Sequence, residues 1–119
     1  MNDSHPVPRL VWVTVGIATT VMAAALAWGL FKGNLSAEGG ALLRMPWGLV
    51  SLVEIYVGMA LFGCWVFWRE ASPVRSSMWM LAVALIGNVV SCAYVLLALR
   101  SSRGNPTLFW MGARAANKR

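Results

Sequence analysis

Charge is scarce in this chain. Asp, Glu, Lys and Arg make up only 12% of its 119 residues, about half the share of an ordinary soluble domain. The four acids are Asp3, Glu38, Glu54 and Glu70, too scattered to form the paired carboxylates of a hydrolase. One histidine, His5, lies outside the apolar runs, which argues against haem ligation and a histidine metal cluster. Two cysteines, Cys64 and Cys92, have no metal-ligand neighbours in sequence. There is no glycine-rich phosphate loop and no nucleophile elbow. These absences point away from an enzyme and imply no cofactor and no metal.

What fills the chain instead is apolar. Hydrophobic residues reach 59% and the mean hydropathy is +0.65. Three charge-poor runs, about 10–31, 47–68 and 78–99, each have the length a bilayer span needs. The expected fold is all-α: one membrane domain over 1–119, a three-helix bundle. Thr14, Thr19 and Thr20 in the first run can bond back to their own helix. Ala23, Ala25 and Ala27 offer signal-cleavage patterns, but the run is longer than a signal core, so it reads as a retained span. Residues 32–46 read as a loop broken at Gly39-Gly40. Pro46 suits the first turn of the second span, and Pro73 forbids a helix running on from it. Asn105-Pro106 reads as a cap and first turn for an interfacial helix over about 106–116. That helix would dip Leu108, Phe109, Trp110 and Met111 into the acyl boundary.

The net charge is +6 and the sequence pI about 10.4. The cations flank the apolar runs, which fits topology signals and anionic lipid rather than nucleic acid. With three crossings, Arg9, Arg69 and Arg75 share one side. Lys32, Arg44, Arg100, Arg103, Arg114, Lys118 and Arg119 share the other. That bias predicts an N-terminus outside and a C-terminus in the cytoplasm, in a membrane such as the bacterial inner membrane. Arg100, Arg103, Arg114, Lys118 and Arg119 would meet lipid headgroups. Trp12, Trp65, Trp68 and Trp79 would mark one aromatic belt, and Trp28, Phe31, Trp47 and Trp110 the other.

Polar side chains inside the spans are the candidate site. Glu54 is the one acid within a span, roughly 10 Å from its near end, and Asn88 lies roughly 16 Å into the third span. An ionisable group at such depth is costly and faces protein or water. If the second and third spans pack as an antiparallel hairpin, Glu54 can meet Ser91, Asn88 or Tyr94, with Tyr56 beside it. The functional reading is a proton relay, cation site or ligand anchor; the structural one is a carboxyl that fixes helix pairing. Asn88 is more simply interhelical glue. Gly58, Gly87 and Gly16 offer close helix approach. The two thiols differ by about 15 Å in depth, beyond disulfide reach.

Pro46-Trp47, Glu54-x-Tyr56-x-Gly58, Trp65 to Glu70 (WVFWRE), Gly87-Asn88 and Tyr94 carry a further signal. Over residues 46–100 the chain resembles a family of small uncharacterised helical membrane proteins. The resemblance implies a helical hairpin in which positions 54 and 88 matter together, and it implies no enzyme.

Three functions remain in view. The first is an accessory or structural subunit packing against partner helices of a larger membrane complex. The second is a small homo-oligomeric transporter or proton-coupled carrier using Glu54. The third is a binder of lipid, quinone or pigment. The expected partners are membrane lipids and other membrane subunits or further copies of the chain.

Overall fold

The computed structural model describes residues 6–116. Their regular structure is entirely helical: α1 Arg9–Lys32, α2 Leu35–Arg44, α3 Pro46–Arg69, α4 Pro73–Ile86, α5 Asn88–Ser102, α6 Pro106–Met111 and α7 Ala113–Ala116. The helices α1 and α3, 24 residues each, are long and apolar enough to cross a membrane. Lys32 and Arg69 close their last turns, where a cation complements the carbonyl end of the helix dipole. In α1, Thr19 and Thr20 donate to Val15 O and Gly16 O at 2.7 and 2.9 Å, so the hydroxyls are satisfied locally.

The stretch expected as a loop is largely helical. Asn34 caps α2 by accepting from Ala37 N–H at 3.3 Å. Gly39-Gly40 does not break the helix, because α2 docks on α3. There Gly48 brings its backbone against the Leu42 carbonyl, space that a Cβ would fill. Tertiary contact overrides the poor local propensity of two glycines.

The third expected span is not one helix. It breaks at Gly87, whose φ of +104° and ψ of −162° lie in backbone space that is essentially closed to L side chains. Beyond it α5 turns back along α4. The Trp79 and Tyr94 rings meet at 5.0 Å, and Arg69 at the end of α3 donates to Ser101 near the end of α5. The three-span bundle is therefore replaced by two long helices and a shorter helical hairpin.

That fold-back moves the chain ends. Val7 N–H donates to Gly104 O at 2.8 Å, so α1 begins where α5 finishes. The expected placement of the two terminal segments on opposite faces depended on three crossings and does not hold for this geometry. Trp110, expected in the belt opposite Trp65, instead accepts from Trp65 Nε1 through its carbonyl at 3.2 Å.

Asn105 caps α6 as its sequence promised, accepting from Thr107 and Leu108 N–H at 2.9 and 3.4 Å. Gly112 then divides the expected single C-terminal helix into α6 and α7. Phe109 is buried within the protein, not offered to an acyl boundary. It forms a core with Ala98 and Leu99, covered by Val7, Val11, Val15, Trp65 and Val95. This core and the aromatic rings around it occupy one end of the molecule, where α1, α3, α5 and α6 converge.

Candidate functional site

At that end, Arg69 is the last residue of α3, and a short turn follows before Ser72 caps α4. The turn leaves Arg69 pointing inward with only 8% of its surface exposed. Its Nε donates to Phe109 O at 2.8 Å. Its two terminal nitrogens reach Tyr94 Oη at 3.3 Å, Glu70 Oε1 at 3.4 Å and Ser101 Oγ at 3.4 Å. Tyr94 donates in turn to Glu70 Oε1 at 2.8 Å, and Arg75 stands 3.6 Å from Glu70 Oε2. A buried guanidinium needs this many acceptors, since an unpaired charge in a poorly solvated place is very unfavourable. One cation thus ties α3, α5 and α6 together.

Gly112 is part of the same construction. Its φ is +52°, and a Cβ there would lie 2.6 Å from Arg69 Cγ. Next to it Arg114 donates to Trp68 O at 2.6 Å, with its guanidinium 4.4 Å from the centre of the Trp68 ring. A cavity of about 490 Å³ opens beside the cluster, lined in part by Arg69, Glu70, Arg75, Trp79, Tyr94 and Ser101. A second, apolar cavity of about 590 Å³ lies between α1, α3, α5 and α6, with Val11, Phe62, Trp65, Phe109 and Trp110 in its wall. The first cavity can take a charged or zwitterionic group and the second a hydrophobic one. Among the described residues, no group of three His, Cys, Asp or Glu side chains converges as a metal site would need.

The residues singled out from sequence are distributed differently. Glu54, Tyr56 and Asn88 are exposed, and none makes a side-chain hydrogen bond among the described residues. Tyr94 is buried, but its partners are Arg69 and Glu70 rather than Glu54. The cause is the break at Gly87: α5 runs back toward Arg69, which carries Tyr94 away from the level of Glu54. Ser91 Oγ is buried with no hydrogen-bond partner among the described residues. Gly16 and Gly58 have open space where a Cβ would be, so neither packs against a helix of this chain. Gly87 marks the break between α4 and α5. The close approach occurs at Gly63, where a Cβ would meet Met80 Cε at 2.6 Å.

Of the expected headgroup contacts, Arg100 and Arg103 are exposed, Arg114 is engaged with Trp68, and Lys118 and Arg119 lie outside the described residues. The sequence reading assigned no site role to Arg69, Glu70 or Ser101, and it placed Phe109 at the acyl boundary and not in a core. The available signal was an Arg flanked by Trp68 and Glu70, with Gly87-Asn88 interrupting an apolar run further on.

Residues 9–107 match the model of a family described as a protein of unknown function, DUF1475. The chain belongs to that family, which covers it from the start of α1 into α6. No curated protein and no solved structure matches the chain.

Proposed function

We propose that this member of the DUF1475 family is an accessory subunit of a membrane assembly, acting through contacts between helices and not through catalysis. The observation that carries this reading is Glu54, an exposed acid on an apolar helix with no side-chain hydrogen-bond partner among the described residues. A charged or strongly polar group facing hydrocarbon costs a few kcal/mol, and such groups face protein or water instead. The long helix α1 has no buried residue at all, and its Ile17, Val21 and Trp28 are at least 60% exposed. These faces suit lipids and partner helices.

In this reading α1 and α3 cross the bilayer, while α4 and α5 enter it by about 20 Å and return. Arg9, Arg75, Arg100, Arg103 and Arg114 then share one face, against Lys32 and Arg44 on the other. The positive-inside bias puts that basic face, with both chain ends, in the cytoplasm of a bacterial-type inner membrane. The test is extraction from the native membrane in mild detergent, followed by native mass measurement. A complex larger than the single chain is expected. A lone monomer with nothing co-purifying would sink the proposal.

One feature favours a second reading, a proton-coupled carrier. The helix break at Gly87 lies near the level of Glu54, and carriers build their sites from interrupted helices at mid-membrane. Ligand-induced proton release, compared with Glu54→Gln, decides it. Equal release from both would remove the carrier.

A further inference from the structure

We infer that the partner is a second copy of this chain, with Glu54 of each protomer accepting a hydrogen bond from the Asn88 side-chain amide of the other. This inference rests on the assembly reading above and names its partner.

The first observation is register. The helices α3 and α4 meet where Met80 fills the space above Gly63. From that contact Glu54 lies nine residues along α3, and Asn88 lies eight residues along the opposite direction of α4. At about 1.5 Å per residue the two groups sit about 13 and 12 Å from the same contact, on the same side of it. They therefore share one depth. Counting from the Arg69–Pro73 turn agrees, since each lies fifteen residues from its own end of the turn. A twofold axis along the membrane normal preserves depth, so equal depth is the condition for Glu54 and Asn88 to meet reciprocally across an isologous interface.

The second observation is chemistry. One group is an acceptor, the other carries two donors, and both are exposed and unpaired among the described residues. Each would be costly in lipid, and a copy of the chain supplies the complement of both at once.

The third is the backbone at Gly87. Breaking the helix frees carbonyls at the end of α4 and N–H groups at the start of α5. Irregular backbone at membrane depth is tolerated only where protein or water covers it. Gly58, one turn from Glu54 with open space above it, lets a second helix approach closely.

The test is subunit counting by stepwise photobleaching of the full-length, singly labelled chain in lipid vesicles at low protein density. The wild type and Glu54→Gln, whose amide oxygen still accepts, should show two steps. Glu54→Ala and Asn88→Ala should dimerise about tenfold more weakly or worse, the scale of two interhelical hydrogen bonds lost. Their helical circular dichroism should match the wild type, which separates lost pairing from lost folding. The exchange Glu54→Asn with Asn88→Glu should restore two steps, because the pair is remade with its roles reversed. Two steps in both alanine variants, or no recovery in the exchange, would overturn the inference. A single step in the wild type, with a different protein co-purifying from native membrane, would overturn the second copy and leave the assembly reading standing. A single step with nothing co-purifying would overturn both.

Discussion

The rings of Trp79 and Tyr94 meet edge-on, with centroids 5.0 Å apart and planes at 75°. Fifteen residues separate them in sequence, which in one continuous helix is about 22 Å. Their contact is possible because Gly87 lies midway between them and turns the chain back. The same turn delivers Tyr94 to Arg69 and Glu70, and so builds the polar cluster.

The fold-back predicts a short distance across the hairpin. Spin labels at Ser77→Cys and Leu97→Cys, in a chain with Cys64 and Cys92 replaced by Ala, should lie within about 20 Å. A continuous helix would put those backbones about 30 Å apart. A distance near the larger value would reject the hairpin.

Gly87→Ala should destabilise the protein by about 1–3 kcal/mol, the usual cost of an L side chain in this backbone region. Unfolding in mixed detergent, followed by tryptophan fluorescence, reads the change. The same substitution should lengthen the spin-label distance, whereas Gly16→Ala, which meets nothing within 4 Å, should change neither.

Arg69→Ala should cost about 3–5 kcal/mol, because it breaks the ion pair with the part-buried Glu70 carboxylate, which keeps Tyr94 and Arg75, and removes the guanidinium donors to Phe109 O, Tyr94 and Ser101. Arg69→Lys keeps the charge but not the fork that reaches Phe109, Tyr94 and Ser101 together, so it should fall between. Tyr94→Phe removes one hydroxyl bonded to both charged neighbours and should cost about 1–3 kcal/mol. Equal stability of wild type and Arg69→Ala would show that the cluster is not what joins α3, α5 and α6.

The bond from Val7 to Gly104 predicts that both flanks face one compartment. Single cysteines at Arg9 and Arg103 should react with a membrane-impermeant thiol reagent from the same side, and one at Ser36 from the opposite side. Labelling of positions 9 and 103 from opposite faces would restore a third crossing.

Much was legible in the residues themselves. Long charge-poor apolar runs of this length point to helices in an apolar setting, since a helix satisfies its own backbone. The bounds of α1 and α3 follow from Arg9, Lys32, Pro46 and Arg69, where charge or proline meets the run. The Asn105 cap and the Pro73 break are local chemistry and needed no partner. Residues 46–100 carried a resemblance to an uncharacterised family, and an uncharacterised family model matches residues 9–107.

Tertiary structure decided the rest. Hydropathy counts apolar residues but does not see direction, so a run that turns back at Gly87 reads as one that crosses. That single glycine reversed α5, brought the two flanks together, and gave Tyr94 to Arg69 in place of Glu54. The buried role of Arg69 was equally hidden, because its acceptors Phe109, Tyr94 and Ser101 lie 25 to 40 residues away in sequence. Sequence alone determined that the chain is apolar and mostly helical, but not that residues 35–44 form α2 or that the third apolar run divides into α4 and α5. The packing of the helices determined which polar groups are satisfied within the chain, and it left Glu54 and Asn88 without side-chain hydrogen bonds among the described residues.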